Sequence, residues 1–339
     1  TWDDLLTLAK KKKMSNEVLE KTGLFLKTEK GTFDRFRNRI MFPIFNTSGR
    51  VVAFGGRSLD PKDPAKYLNS PETPLYKKRD LFYGLQSARQ PIREHGYAIF
   101  VEGYMDFLQL FQAGIQNVTA LSGTALTEHH GLQIRKFTNR AVLAYDGDDA
   151  GIDASIRAGY LLLRVGIEPQ IVRIPDKMDP DDWVRKSGVN EFRKAVDRAV
   201  PVLAFHIQTK DATSLPPVQR SEFIRDVVFQ IAGVNDGIIR DDLLKSLAQE
   251  MRVEEGELLK KMSRQKQRSP KEPFLESQEK SDEIKLTSKV QKAQIELVRI
   301  LAGQDIDARQ IVRKKVHLEL FLEPALKKLA KLVIPIYDE

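Results

Sequence analysis

There is no cysteine anywhere in these 339 residues. That excludes disulfides and cysteine-based zinc sites, and it fits a reducing compartment, so a cytoplasmic location is expected. No signal peptide and no apolar run of membrane length is present, and no membrane partner is expected. No G-x-G-x-x-G follows a strand-like run, which excludes a Rossmann site, and a Walker phosphate loop is absent as well. There is no internal repeat. No initiator methionine is present, and the ends, Thr1-Trp2-Asp3-Asp4 and Ile336-Tyr337-Asp338-Glu339, read as cut from something longer.

What is there describes a globular protein of two or three domains, with an ordinary 41% hydrophobic content. The net charge of +8 and a pI near 9.3 are compatible with a polyanionic partner without proving one.

The chain is organised around Ala98-Ile99-Phe100-Val101-Glu102-Gly103-Tyr104-Met105-Asp106, with two companions, Ala141-Val142-Leu143-Ala144-Tyr145-Asp146-Gly147-Asp148-Asp149 and Asp179-Pro180-Asp181. In the first two, a short apolar run ends abruptly in acid and glycine. An unbroken apolar run marks a strand buried on both faces, and ligands of open parallel sheets bind beyond the carboxyl ends of such strands. Glu102, Asp146 and Asp148 therefore fall where an active site belongs. A carboxylate cluster suits a hard cation such as Mg²⁺, which takes oxygen ligands. A calcium-loop reading of Asp146-Gly147-Asp148-Asp149-Ala150-Gly151 fails, because its twelfth position is Arg157 where a bidentate Glu is needed. The competing structural reading makes these acids a turn and helix cap, which suffices for Asp149. His129-His130 is no metal pair, since neighbours on a helix point apart; a surface or capping role is expected.

In chain order, residues 3–22 carry apolar positions at helical spacing, with Leu5, Leu8, Val18 and Leu19 inward. The Lys10–Lys13 run is either a solvated face or a phosphate contact. Residues 33–57 read as β, with Ile40–Phe45 and Val51–Phe54 forming a hairpin about Asn46-Thr47-Ser48-Gly49. Arg35, Arg37 and Arg39 alternate and would share one face. Residues 60–80 read as a polar loop without regular structure, whose Lys, Arg, Tyr and Asn favour contact with nucleotides. Strands are predicted over 97–101, 117–121, 141–145 and 169–174. Helices over 104–113, 127–137 and 150–164 alternate with them, giving a parallel sheet with right-handed crossovers. The division expected is a basic α+β subdomain at 1–96, a metal-binding α/β domain at 97–200, a helical bundle at 201–260, a linker at 261–284, and the start of a helical module at 285–339.

The motifs Val101-Glu102-Gly103-Tyr104-Met105-Asp106, Tyr145-Asp146-Gly147-Asp148 and Asp179-Pro180-Asp181 resemble the Glu and Asp-x-Asp motifs of the Toprim fold, shared by bacterial primases, topoisomerases and some nucleases. The flanking Phe36-Arg37-Asn38-Arg39-Ile40-Met41-Phe42-Pro43-Ile44, Phe54-Gly55-Gly56-Arg57 and Lys66-Tyr67-Leu68-Asn69-Ser70-Pro71-Glu72-Thr73 are similar to the core of bacterial DnaG-type primases. The resemblance covers about residues 1–255. It implies an acidic site at Glu102, Asp106, Asp146, Asp148, Asp179 and Asp181 that holds Mg²⁺ or Mn²⁺, two or more ions being possible, with Glu102, Asp146 and Asp148 catalytic. It implies a basic face at Arg37, Arg39, Lys66, Tyr67, Asn69 and Lys78 for template and nucleotide. Whether Glu102 ligates metal or serves as a base stays open. The implied partners are a single-stranded DNA template, ribonucleoside triphosphates, the RNA primer, and the replicative helicase through the segment after residue 284. The family's zinc module is absent here.

The implied reaction is attack of a primer 3′ hydroxyl on the α-phosphate of a ribonucleotide with loss of pyrophosphate, in the synthesis of primers for replication. Two rivals remain, a Toprim nuclease with water as nucleophile and a non-catalytic single-strand-binding scaffold. Without the zinc module, extension of a supplied primer is expected to exceed initiation.

Overall fold

The computed structural model describes residues 2–29, 31–121 and 123–267, together with Leu297. The chain divides into two compact units, Thr1–Pro270 and Lys271–Glu339. Apart from Leu297, the second unit, with the module expected from 285, lies outside the described residues, as do residues 268–284 of the linker expected over 261–284.

At the start, α1 (Asp4–Lys11) and α2 (Asn16–Lys21) are separated by Lys13, whose φ of +57° breaks the helix. The inward stripe is shifted by one residue from that expected. Leu6, Ala9 and Leu19 are buried, whereas Leu5, Leu8 and Val18 are exposed. The cause lies outside the helix. Buried Asp34 accepts the N–H groups of Leu5 (2.8 Å) and Leu6 (2.9 Å), so it supplies the cap that Asp3 does not, and it fixes the rotation of α1. Asp34 ends the hairpin of β1 (Phe25–Thr28) and β2 (Gly31–Asp34).

β3 (Arg39–Phe45), β4 (Val51–Ser58) and β5 (Tyr67–Asn69) form an antiparallel sheet in that order. The expected turn is there: Asn46 Oδ1 accepts from the N–H groups of Ser48 and Arg50, and Gly49 takes a φ of +80°. Two expectations change. Residues 60–80 contain a strand, since Tyr67 pairs with Arg57 and Asn69 with Gly55. Three residues are too few to show periodicity. And Arg35, Arg37 and Arg39 do not alternate on one strand: Arg35 and Arg37 lie between β2 and β3 and reach Asn69 O and Asp34 O, while Asn38, left-handed at φ +50°, sets off Arg39 at the start of β3.

After α3 (Leu85–His95) comes the alternating part: β6 (Ala98–Val101), α4 (Tyr104–Gln112), β7 (Val118–Ala120), α5 (Glu128–Ile134), β8 (Arg140–Leu143), α6 (Asp149–Arg164) and β9 (Glu168–Ile171). α7 (Pro180–Ser187), α8 (Val189–Asp197), β10 (Val200–Pro201) and α9 (Val202–Thr209) follow. The sheet runs β10-β9-β8-β6-β7; β7, β6, β8 and β9 are parallel, and β10 pairs antiparallel with β9. Every residue of β6 is buried, as its unbroken apolar run requires. Its side chains alternate between two cores. Ala98 and Phe100 face α3, α5, α6 and α9, while Ile99 and Val101 face α4, α7 and α8. Phe42, Ile44 and Ala53 of the small sheet join the second core, so both sheets are built on one apolar interior.

α10 (Pro217–Ala232), α11 (Gly237–Met251) and α12 (Glu255–Gln267) extend the first core. The stripe of Phe223, Val227, Val228 and Ile231 is buried, as are Leu244, Leu247 and Met251. Residues 261–267, expected as linker, are the last turns of α12, and Met262 is buried. Among the described residues no helix is long and apolar enough to cross a membrane.

Candidate active site

The parallel strands put their carboxyl ends on one edge, and the six acids collect there. Glu102 follows β6 directly, and its Oε1 accepts the Asp146 N–H at 3.3 Å. Asp106, in the first turn of α4, accepts the N–H of Gly103 (2.9 Å) and that of Asp181 (3.2 Å). Asp148 caps α6 through Gly151 N–H (2.8 Å), and Asp179 caps α7 through Asp182 N–H (2.6 Å). The capping reading thus holds for Asp148 rather than Asp149. The loops of Asp146 and Asp179 are tied by Gly147 N–H to Met178 O at 2.8 Å. A Cβ on Gly147 would stand 2.2 Å from Pro175 O, so only glycine permits that approach.

Burial and crowding at this edge make four of the carboxyls harder to ionise. Asp106 is pushed up to about 7, first by burial and then by Asp179 and Asp146. Asp146 is also pushed up to about 7, by burial and then by Glu102, Asp179 and Asp148. Burial raises Glu102, and burial raises Asp181 despite Arg185, 2.6 Å away.

A divalent cation implied by the family can be tested against these residues. They offer oxygen donors only, as a hard cation prefers. Asp146 Oδ1 is buried without a hydrogen-bond partner, and Asp146 helps line a cavity of about 70 Å³ together with Tyr145 and Thr209. Among the described residues no three acids or histidines already converge on one point, since backbone N–H groups hold most of these carboxylates. The donor set fits a hard cation, and coordination requires side-chain rotation.

The basic residues divide. Exposed Lys66 and half-buried Arg57 lie 5.9 Å from the centre of the Tyr67 ring. Tyr67 lies within the field of Asp106, Asp181 and Asp179, so this strand faces the acids. Arg57 stands in a motif quoted for the resemblance but not among the residues expected on the basic face; its pairing with Tyr67 places it there. Asn69 Oδ1 accepts from the Tyr104 hydroxyl at 2.9 Å. Tyr104, the first residue of α4, also stacks on Phe42 at 4.8 Å and meets Tyr83 edge-on at 4.7 Å. It fits because Gly55, opposite Phe42, has no side chain; a Cβ there would be 2.5 Å from the ring. Arg39 stands apart. Its side chain is 7% exposed and holds Ala65 O, Gly56 O and Asp63, fastening the loop before β5. Arg37 lies over the Trp2 ring at 4.6 Å and donates to Asp34 O. Lys78 sits in a 3₁₀ turn, Lys78–Asp80, packed on α5.

His130 is fully buried rather than at the surface, and Thr127 and His130 cap α5. Its neighbour His129 is exposed.

Residues 1–89 match the family described as "DNA primase catalytic core, N-terminal domain", and residues 99–184 match the one described as "Toprim-like". A DNA primase of Listeria monocytogenes is 38% identical over 254 residues, covering 74% of this chain and 41% of that protein. A crystal structure of a DNA primase domain from Pseudomonas aeruginosa superposes with a TM-score of 0.70 at 31% identity, covering 78% of this chain and 84% of that one. The DnaG primase catalytic domain bound to single-stranded DNA superposes with a TM-score of 0.67 at 33% identity, covering 76% of this chain and 82% of that one. The chain spans less than half the length of the Listeria relative.

Proposed function

Because this chain belongs to the family of DnaG-type bacterial DNA primases, we propose that it is the RNA polymerase core of a primase, joining ribonucleotides on a single-stranded DNA template. The observation that carries this is the juxtaposition made by Tyr104. One side chain ties the strand of Lys66, Tyr67 and Asn69 to the helix that begins beside Glu102 and Asp106. A metal-dependent polymerase needs that pairing of cation site and polyanion track.

In this reading Asp106, Asp146, Asp148, Asp179 and Asp181 hold Mg²⁺ or Mn²⁺. When bound, the cation neutralises the carboxylates and the charge that develops on the transferred phosphate. Lys66 and Arg57 take backbone or triphosphate oxygens, and both lie within 5.9 Å of the Tyr67 ring centre, which gathers the two charges about one side chain. Lys78 takes the triphosphate. Glu102, already oriented by the Asp146 N–H and raised by burial, suits the proton of the attacking 3′ hydroxyl better than a ligand role. Base pairing reads the template, so these residues need only hold backbones. The solved relative bound to single-stranded DNA supports that substrate. The replicative helicase is the partner proposed for the segment beyond the described residues, and the cytoplasm is the proposed location.

The deciding experiment is incorporation of labelled ribonucleotides on a single-stranded template with Mg²⁺ or Mn²⁺, with and without an annealed RNA primer. Cation-dependent extension that Asp146→Asn abolishes is expected. Cation-dependent template degradation without extension would replace this reading with the nuclease.

A further inference from the structure

α5 carries no acid of the site and no base of the track, yet it grips the turn that carries Lys78 by four successive carbonyls. His130 Nε2 lies 3.1 Å from Lys78 O and 3.3 Å from Leu81 O. Thr127 Oγ1 donates to Arg79 O at 2.7 Å, and Gln133 Nε2 donates to Asp80 O at 2.5 Å. Thr127 caps α5 and His130 and Gln133 lie in it, at spacings of three residues that put the three side chains on one face.

The hydrogen bonds define the imidazole. Carbonyls accept only, so Nε2 carries the proton. Nδ1 then accepts the Thr127 N–H at 3.2 Å, while Thr127 Oγ1 accepts the His130 N–H at 3.2 Å and gives its own proton to Arg79 O. The ring is fully buried and lies 4.6 Å from the Phe82 ring, and burial lowers its pKa to about 4, so it stays neutral. A neutral imidazole with one tautomer is a fixed peg. The first turn of α5 follows β7, on the same carboxyl edge as the acids. Just beyond the turn, Tyr83 N–H bonds Ala120 O at 2.8 Å, which anchors the segment to β7.

What the grip leaves alone is as telling. It takes carbonyls and no basic side chain. Lys77 and Arg79 are exposed, and Lys78 is half-buried with its N–H on Glu72. We propose that Thr127, His130 and Gln133 are positioning residues for nucleotide binding: they hold the Lys77-Lys78-Arg79 turn by its backbone so that its cations meet an incoming triphosphate already in place. Ordering the turn in advance spares the ligand that cost and improves affinity without a new contact. The inference rests on the reading of Lys78 as a triphosphate contact.

Thr127→Val, His130→Gln and Gln133→Leu test it in primer extension, beside Lys78→Ala. Thr127→Val and Gln133→Leu should each raise the KM for ribonucleotide roughly five- to ten-fold, the worth of one net hydrogen bond, with kcat nearly unchanged. His130→Gln, whose amide can still reach a carbonyl, should be milder. In a Lys78→Ala background the KM effect of Thr127→Val should shrink, since only Lys77 and Arg79 remain to be positioned. Limited trypsin digestion of the native protein should cut faster after Lys77, Lys78 or Arg79 in Thr127→Val and Gln133→Leu, with Tm lower by only a few degrees, as loss of a cap or one hydrogen bond predicts. Parental KM in these variants, while Lys78→Ala alone raises it, would overturn the inference, as would an equal fall in kcat and Tm without loop-specific cleavage. A parental Lys78→Ala would instead refute Lys78 as a triphosphate contact and remove the functional half of the inference. Trypsin would still judge the grip.

Discussion

The raised carboxyls of the acid edge predict a stability that depends on pH and on a divalent cation together. Asp106 is 6% exposed, and its carboxyl is pushed from 3.8 to about 7. By linkage that gap corresponds to about 4 kcal/mol, present below pH 3.8 and lost as the pH rises through about 7, because the folded protein must give up a proton it favours. Asp146 acts in the same direction, but it is partly exposed and coupled to the same neighbours, so its share does not add in full. His130 acts oppositely. Its fall from 6.5 to about 4 corresponds to about 3 kcal/mol gained as the pH rises through that window. The two offset each other below about pH 6.5, leaving a net loss in alkaline, cation-free solution. A cation bound by the carboxylates removes the acid part alone. Thermal unfolding with EDTA or with millimolar Mn²⁺ should therefore show almost no cation effect near pH 5. Near pH 8 the cation should raise Tm by about 5–10 °C, taking roughly 2 °C per kcal/mol for a protein of this size. Asp106→Asn should shrink that difference. An equal Tm rise at both pH values, or none at pH 8, would refute the electrostatic account of this edge.

Three other perturbations separate the parts of the site. Asp148→Asn should lower extension at least about a hundred-fold while Tm stays within a few degrees, because Asn caps a helix as well as Asp; an active variant would leave Asp148 as a cap only. Lys66→Ala should weaken binding of labelled single-stranded DNA or nucleotide, with a loss that shrinks as salt rises. Equal titrations for variant and parent at two ionic strengths would remove Lys66 from the track. Gly55→Ala, whose methyl would stand 2.5 Å from the Tyr104 ring, should cost about 1–3 kcal/mol by denaturant unfolding and reduce extension; a fully stable, active variant would show that Tyr104 can yield.

Where one physical constraint ruled a segment, the sequence showed it. Ala98–Val101 is buried on both faces, so nothing but an apolar run could stand there, and the acids after it fall at the strand end. Asn46 to Gly49 declare their turn by chemistry that only a turn uses. The misread positions depend on partners distant in the chain. Leu6 rather than Leu5 turns inward because of Asp34, 28 residues on. Arg39 reads as a phosphate ligand until Ala65 and Asp63 are seen to occupy it. His130 does cap α5, one of the two roles expected of it, but its burial shows only when the Lys78 turn covers it. Arg57 acquires meaning only from the register that sets it across from Tyr67. Periodicity records which face a neighbour takes; it does not record which neighbour.

The stack of Tyr104 on Phe42, seated at Gly55, turns the gap between the acid edge and the basic strand into a caliper of set opening. The ring fills a packed interior, so it offers no hinge. A caliper suits an object of constant width. Paired strands have nearly the same girth whatever their bases, whereas a mispaired or unpaired end does not. In the polymerase reading proposed above, such a gauge would take correctly paired sequences on equal terms without a residue that reads a base.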